Sequence, residues 1–335
     1  MLYPLIFKPI YKEMIWGGTR LATMFGRELP SDKVGESWDI SCRPLEMGII
    51  ENGPCAGLGF DEYININRRA VLGTRLENCD RFPLLVKIID ANDVLSIQVH
   101  PDDAYAAQKG GADCGKNEMW YVLAPPDDGY LLIGLRPDIT KEKLQKAYSN
   151  GTVENCMARL PVKAGDIIDI PAGLVHALTP GVMVAEVQQN SDITYRLFDF
   201  DRLDLHGNPR PLHIDDAFAV TDFDNRLPKS VVMGQSIKKG ENELIYAINN
   251  PYFAIIKYIL AGSITEESDP GAFSIFTCVE GRAAITVGEF VTKIPAGRSV
   301  FIPAGMRGYT IAPDESFERT VLLKSFVPPG PKSKI

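Results

Sequence analysis

One pattern, A-G-x-x-x-x-I-P-A-G, occurs twice in this chain, as AGDIIDIPAG from residue 164 and as AGRSVFIPAG from residue 296. In each copy a short apolar strand enters a Pro-Ala-Gly turn, and a further strand leads away from it. The repeat therefore predicts two similar β units. Length agrees, since 335 residues exceed what one hydrophobic core usually organises. So does composition: 29 Gly and 24 Pro suit many short strands joined by tight turns.

The rest of the chain follows this lead. LSIQVH (95–100), EMWYVLA (118–124), YLLIGL (130–135), DIIDIPA (166–172) and VMVAEVQ (182–188) are short, rich in branched or aromatic residues, and bounded by turn formers. From about residue 241 strand follows strand, through FAIIKYILAG, FSIFTCVEG, RAAITVG, SVFIPAG and TVLLKSF. Helical patterns are few: 61–76, 101–110 and 138–151, the last with Asp138 or Thr140 as cap and Gly151 as stop. The predicted fold class is mainly β, with two cupin or jelly-roll β-barrels and a few short helices in the N-terminal half. The polar stretch 222–242 reads as the linker between an N-terminal domain, 1–235, and a C-terminal one, 241–335. The tail VPPGPKSKI only ends the last strand, and its P-x-x-P spacing is incidental.

Charge excludes some partners. Against 43 acidic residues stand 35 basic ones, a net charge of −8, so no uniformly basic face offers itself to nucleic acid. An anionic ligand must be met by local Lys and Arg. The six cysteines form no C-x-x-C pair and read as reduced thiols. The N-terminal MLYPLIFKPIYKEMIW lacks the build of a secretory signal, and no run approaches the roughly 18 apolar residues of a membrane span. A cytoplasmic protein without membrane contact is expected.

Alternation in Leu95 to His100 sends Leu95, Ile97 and Val99 to one face and Ser96, Gln98 and His100 to the other. A polar inner face makes sense around a metal or a ligand, because buried polar groups are costly when unpaired. Glu118 opens the next strand, and His176 follows the first Pro-Ala-Gly turn, so Gln98, His100, Glu118 and His176 can converge. Two imidazoles and a carboxylate form a catalytic zinc-type set, to which an amide oxygen would be an unusual addition. The alternative is a satisfied polar core without metal. In the second repeat Gly308 stands at the position of His176, and FSIFTCVEG has no His. Only the first unit is equipped in this way.

Met14-Ile15-Trp16-Gly17-Gly18, Gly35-Glu36-Ser37-Trp38-Asp39, Ser96-Ile97-Gln98-Val99-His100-Pro101-Asp102, Gly115-Lys116-Asn117-Glu118-Met119-Trp120 and Pro171-Ala172-Gly173-Leu174-Val175-His176-Ala177-Leu178 occur in this order. In these motifs the chain resembles the type I mannose-6-phosphate isomerases, in their short bacterial form, from about residue 8 to 326. The resemblance implies a zinc-dependent cupin enzyme, with one zinc per chain, that interconverts mannose 6-phosphate and fructose 6-phosphate. It places Gln98, His100, Glu118 and His176 at the metal and Arg196 in the active site. Ser96 and Trp16 come with it as substrate contacts, and the larger helical insertion of longer members is missing.

Moving a carbonyl between neighbouring carbons requires removing a proton, passing through an enediolate and returning the proton. With His100 and His176 on the metal, the base is a carboxylate, a lysine or a hydroxide. Glu186 can face the site from VMVAEVQ, or serve only as a satisfied internal carboxylate. Lys116, two residues before Glu118, can polarise an oxygen or relay a proton. Lys87 is a lone charge in an apolar strand and reads as a substrate contact. Arg196 either stabilises the enediolate or holds phosphate, while His206 and His213, in a polar loop, read as surface residues. Two rivals stand beside this reading: an iron dioxygenase built on a 2-His-1-carboxylate set, and a non-catalytic sugar-phosphate-binding cupin. The chain is expected to act as a monomer or homodimer.

Overall fold

The computed structural model describes residues 2–111 and 113–330. Among these residues strands dominate and the α-helices are short, the longest being Lys141–Ser149. The chain is mainly β, as its repeat requires, and its described strands form four sheets. Its residues group into two compact units, one of Tyr11–Ser37 and Ile88–Val232, the other of Met1–Ile10, Trp38–Lys87 and Met233–Ile335.

The first unit holds a five-stranded sheet in the order Tyr195–Phe198, Ile97–Val99, His176–Ala177, Tyr130–Leu135, Met157–Pro161. In a six-stranded sheet, Met183–Gln189, Glu118–Ala124 and Ile167–Ile170 are neighbours, and the remaining strands are Ile10–Gly18, Val34–Ile40 and Leu84–Asp90. Trp120, Val122, Ile168, Ile170 and Val184 from the larger sheet pack with Leu131 and Ile133 from the smaller one. This apolar layer joins the two faces, as in a sandwich. Ile97, Val99, Val175 and Ala177 face the other way and pack with Leu144, Ala147, Ala217 and Phe218 from two helices. Alternation thus separates an outer greasy face, covered by helices, from an inner face that carries Gln98.

The second unit repeats the pattern with sheets of six and four strands. Their orders are Gln235–Lys239, Asn242–Asn249, Ala254–Leu260, Thr320–Phe326, Ser274–Glu280, Ser299–Ile302, and Ile264–Glu267, Gly308–Pro313, Arg282–Val287, Phe290–Pro295. Tyr258, Phe276, Val300, Ile302 and Leu322 meet Ile264, Ile285, Ile294 and Ile311 between them. In both repeats the Pro-Ala-Gly turn links consecutive strands: Ile167–Ile170 to His176–Ala177, and Ser299–Ile302 to Gly308–Pro313.

Some elements differ from their sequence reading. The helix expected over 61–76 is two helices, Phe60–Ile66 and Arg68–Leu72, because Asn67 leaves helical geometry and its side chain accepts a hydrogen bond from Ala70 N. Thr140, not Asp138, caps Lys141–Ser149. The polar loop around His213 runs into a helix, Ile214–Val220. A strand, Gln235–Lys239, lies inside the supposed linker. All five of its residues are exposed at a sheet edge, so no apolar alternation announced it. Earlier in that stretch, Lys229 Nζ donates to Leu135 O at 2.6 Å and Val231 bridges to Ile168. The P-x-x-P reading of the tail reaches Pro331 and lies outside the described residues.

Candidate metal centre

Strand register builds the site. Gln98 is directly opposite Arg196 on one side and His176 on the other, so three polar residues form a row on one sheet face. On the larger sheet Glu118 stands opposite Gln188 and Ile170, and one step further along the same face Trp120 stands opposite Glu186 and Ile168. His100 follows the strand Ile97–Val99 directly. Ligating atoms of His100, Glu118 and His176 lie within 4.8 Å of one another, and all three residues are buried.

Both imidazoles are aimed by backbone. His100 Nδ1 lies 2.8 Å from Ile193 O, and His176 Nδ1 lies 2.8 Å from Leu174 O. A carbonyl only accepts, so each Nδ1 carries the hydrogen and each Nε2 keeps its lone pair. Those lone pairs point to the carboxylate: His100 Nε2 is 3.3 Å from Glu118 Oε1, and His176 Nε2 is 3.7 Å from Glu118 Oε2. Among the described residues neither His100 Nε2 nor Glu118 Oε2 has a hydrogen-bond partner. Burial, reinforced by Lys116, pushes His100 down to about 3, and burial lowers His176 as well. Burial opposes the charge of Glu118, but its surroundings, the Lys116 ammonium first among them, outweigh burial and hold its carboxyl well below the usual range. Buried neutral imidazole nitrogens and an ionised carboxylate, with His100 Nε2 and Glu118 Oε2 unpartnered among the described residues, are the donor set that a divalent cation requires. The residues fit a metal ion.

Gln98 lies alongside, its amide nitrogen 3.4 Å from His176 Nε2 and its oxygen accepting from Ser96 Oγ at 3.2 Å. Turning the amide over brings its oxygen to the ligand side. Lys116 Nζ is 2.8 Å from Glu118 Oε1. Glu186 is buried and accepts from Trp120 Nε1 at 2.9 Å, and the Trp120 ring stands edge-on to His176. Arg196 is half-buried, its Nε without a partner among the described residues. Trp16 is packed into the apolar layer with Trp120 and Ile89. Lys87, on Leu84–Asp90, places its ammonium 4.9 Å from the centre of the Trp38 ring. His206 is exposed, whereas His213 is partly buried behind Arg196, whose backbone N–H it receives at 3.3 Å.

Two features escaped the sequence reading. Arg202 and Arg210 both bind the buried Asp199, and with Arg196 they make a cationic cluster on one short stretch. Three arginines between 196 and 210 in an acidic chain were the available signal. A buried amide pair, Asn117 and Gln189, supports the loop that carries Lys116. Asn117 sits within the motif Gly115 to Trp120, yet its sequence neighbours do not reveal a partner 72 residues away.

The second repeat fills the corresponding place without such a set. Glu266 stands opposite Tyr309 and Phe276 opposite Lys324, as Gln98 does opposite His176 and Trp120 opposite Glu186. Gly308 opens its strand as His176 does, but the buried side chain there is that of Tyr309. Lys324, Lys239 and the Tyr258 hydroxyl all reach the carboxylate of Glu266 at 3.1 Å.

Residues 5–122 match the type I phosphomannose isomerase catalytic domain, and residues 242–317 match the mannose-6-phosphate isomerase cupin domain. The mannose-6-phosphate isomerase ManA of Bacillus subtilis (strain 168) is 36% identical over 304 residues, 90% of this chain and 94% of that protein. The mannose-6-phosphate isomerase of Streptococcus mutans is 33% identical over 309 residues, 92% of this chain and 95% of that one. In three dimensions the chain is similar to the mannose 6-phosphate isomerase structure from Bacillus subtilis, with TM-score 0.85 and 31% identity, covering 96% of this chain and 99% of the other.

Proposed function

This chain belongs to the type I phosphomannose isomerases, and on that premise we propose that it interconverts mannose 6-phosphate and fructose 6-phosphate at one zinc ion. His100, Glu118 and His176 hold the ion, with Gln98 as a fourth ligand. The observation that carries this reading is the pair of Nδ1 to carbonyl contacts, which leave two buried Nε2 lone pairs facing an ionised carboxylate. When bound, the ion supplies Lewis acidity toward the sugar's carbonyl and hydroxyl oxygens.

The chain's own residues do the rest. Glu186, held by Trp120 Nε1, takes the proton from one carbon and returns it to the neighbour, through a cis-enediol. Lys116, beside the carboxylate of Glu118, gives a proton to the carbonyl oxygen as the enediol forms and takes one back from the neighbouring hydroxyl as the new carbonyl forms. Arg196, with Arg202 and Arg210 nearby, meets the enediolate or the phosphate with the local positive charge that an anionic substrate needs on a chain of net charge −8. Ser96 touches substrate from beside Gln98, and Trp16 backs the apolar wall under Trp120. Lys87, over Trp38, is assigned no step.

Each pair of sheets is read as one cupin barrel. The segment 241–335 is the metal-free domain, since the described residues offer a metal set only at His100, Glu118 and His176. Among the described residues no helix is long and apolar enough to cross a membrane. The enzyme is placed in the cytoplasm, acting on a small soluble substrate as a monomer or homodimer. A coupled assay on mannose 6-phosphate before and after chelation, with zinc restored, tests the reading. Turnover that persists after complete metal removal overturns it.

A further inference from the structure

Three separate stretches of chain bring the metal set together: His100 to Asp103, Gly115 to Glu118, and Pro171 to His176. One buried amide pair ties all three. Asn117 Oδ1 accepts from the N–H of Ala172, inside the Pro-Ala-Gly turn that leads to His176, at 3.0 Å. Asn117 Nδ2 and the Asn117 backbone N–H both donate to Gln189 Oε1, at 2.7 and 3.0 Å. Gln189 Nε2 in turn donates to Asp103 Oδ1 at 3.1 Å, and Gly115 N–H reaches the same oxygen at 2.8 Å. Backbone N–H groups can only donate, so both amide orientations are set without ambiguity.

The fold leaves little slack around this pair. A Cβ on Gly115 would lie 2.5 Å from Asp102 C and Asp103 N, so only glycine lets the Lys116 loop close onto the segment after His100. Beyond Gln189 the chain remains tied, with Ser191 Oγ donating to Cys114 O at 2.7 Å before Ile193 O meets His100 Nδ1. Asn117 and Gln189 are both buried, and none of the hydrogen bonds just described goes to a ligating atom. Their bonds run to the segments, not to the site.

We propose that Asn117 and Gln189 are positioning residues for the metal centre, locking the three ligand-bearing segments into one rigid frame. The proposal rests on the metal reading above. Partners behind the ligands commonly change metal affinity by about 10- to 100-fold, and here the effect appears as faster loss of the ion.

The test follows zinc leaving the full-length zinc-loaded protein into excess chelator. Asn117→Ala removes both side-chain links and is expected to speed release about tenfold or more. Gln189→Glu sets a carboxylate against Asp103 and is expected to do the same. Adding Asp103→Asn takes away the opposing charge while its side-chain oxygen still accepts from Gly115 N–H, so Gln189→Glu with Asp103→Asn is expected to bring the release rate part of the way back toward wild type. That rescue also answers the case in which Asn117→Ala fails to fold. Release from Gln189→Glu at the wild-type rate overturns the positioning role, as does a doubly substituted protein no slower than the single one. If the wild-type chain takes up no zinc at all, the metal reading itself falls, which is a separate result.

Discussion

Lys116 Nζ and Glu118 Oε1 are 2.8 Å apart, with 5% and 1% of their side chains exposed. A buried cation beside a carboxylate that is to hold a metal would weaken that hold, so its presence there calls for a chemical role. Lys116→Met is expected to lower kcat by about 10² or more, the scale for loss of an acid–base or oxyanion contact. Zinc content should remain intact, because Glu118 then faces the ion without competition. If KM rises and kcat does not move, Lys116 only binds substrate.

The three-ligand group predicts a stoichiometry. Dialysed protein is expected to contain about one zinc per chain, by the ligand count of a mononuclear site. His100→Ala with His176→Ala should carry none, since one carboxylate and one amide do not retain the ion through dialysis. Elemental analysis decides, and metal retained by the double variant would place the ion elsewhere.

Much of this centre was legible in the sequence because β alternation is strict. Ile97 and Val99 had to face apart from Gln98, and they do. The repeated Pro-Ala-Gly turn placed His176 at the start of a strand, and it opens one. Alternation could not show what lies across a sheet. Asn117 depends on Gln189, 72 residues on, and such a pairing is a property of register, which the residues near Asn117 do not encode. Helix ends failed for a local reason, since Asn67 competes for backbone hydrogen bonds and splits a pattern that looked continuous. In the second repeat the motif counterpart of His176 is Gly308, but the inward place belongs to Tyr309, a shift of one residue that reverses the face.

The ion pair Glu266 to Lys324 occupies the interior of the second unit, and its loss should be felt in stability alone. Lys324→Met leaves Glu266 with Lys239 and Tyr258 and is expected to cost about 1–3 kcal/mol, below the figure for a fully buried pair because both partners keep some exposure. Adding Glu266→Gln should recover part of that loss. Denaturant unfolding measures both, while turnover per folded molecule stays at the wild-type value. A fall in kcat would bring this unit into the chemistry.

Asp169 gives a pH signature. Burial pushes its carboxyl up to about 6, and its Oδ1 has no hydrogen-bond partner among the described residues. A folded pKa above the unfolded one means that the native state holds the proton more tightly. The benefit is therefore complete below about pH 4 and fades as pH rises through 6. Asp169→Asn, which cannot ionise, is expected to gain on wild type as pH rises from 4 to 7, by at most about 3 kcal/mol. The two proteins should converge near pH 4. A stability difference that does not change with pH removes the cause assigned here.

Proton transfer leaves a mark that hydride transfer does not. Once His100 and His176 are ligands, neither can take the proton from the sugar, and Glu186 is a buried carboxylate on the same sheet face as Glu118. A carboxyl in a site that admits substrate exchanges part of its proton with water before giving it back. Turnover in deuterated water is therefore expected to place deuterium on C2 of mannose 6-phosphate and C1 of fructose 6-phosphate. A hydride passed from carbon to carbon never meets the solvent and leaves both positions protonated. Glu186→Gln separates the carboxylate from other bases: kcat should fall by about 10² or more, with zinc retained, since an amide keeps the size of the side chain but cannot take the proton. If label still enters at the wild-type rate in Glu186→Gln, the base is another residue and Glu186 serves only to hold Trp120 against His176. If no label enters the wild-type products at any pH, a hydride shift replaces the enediol.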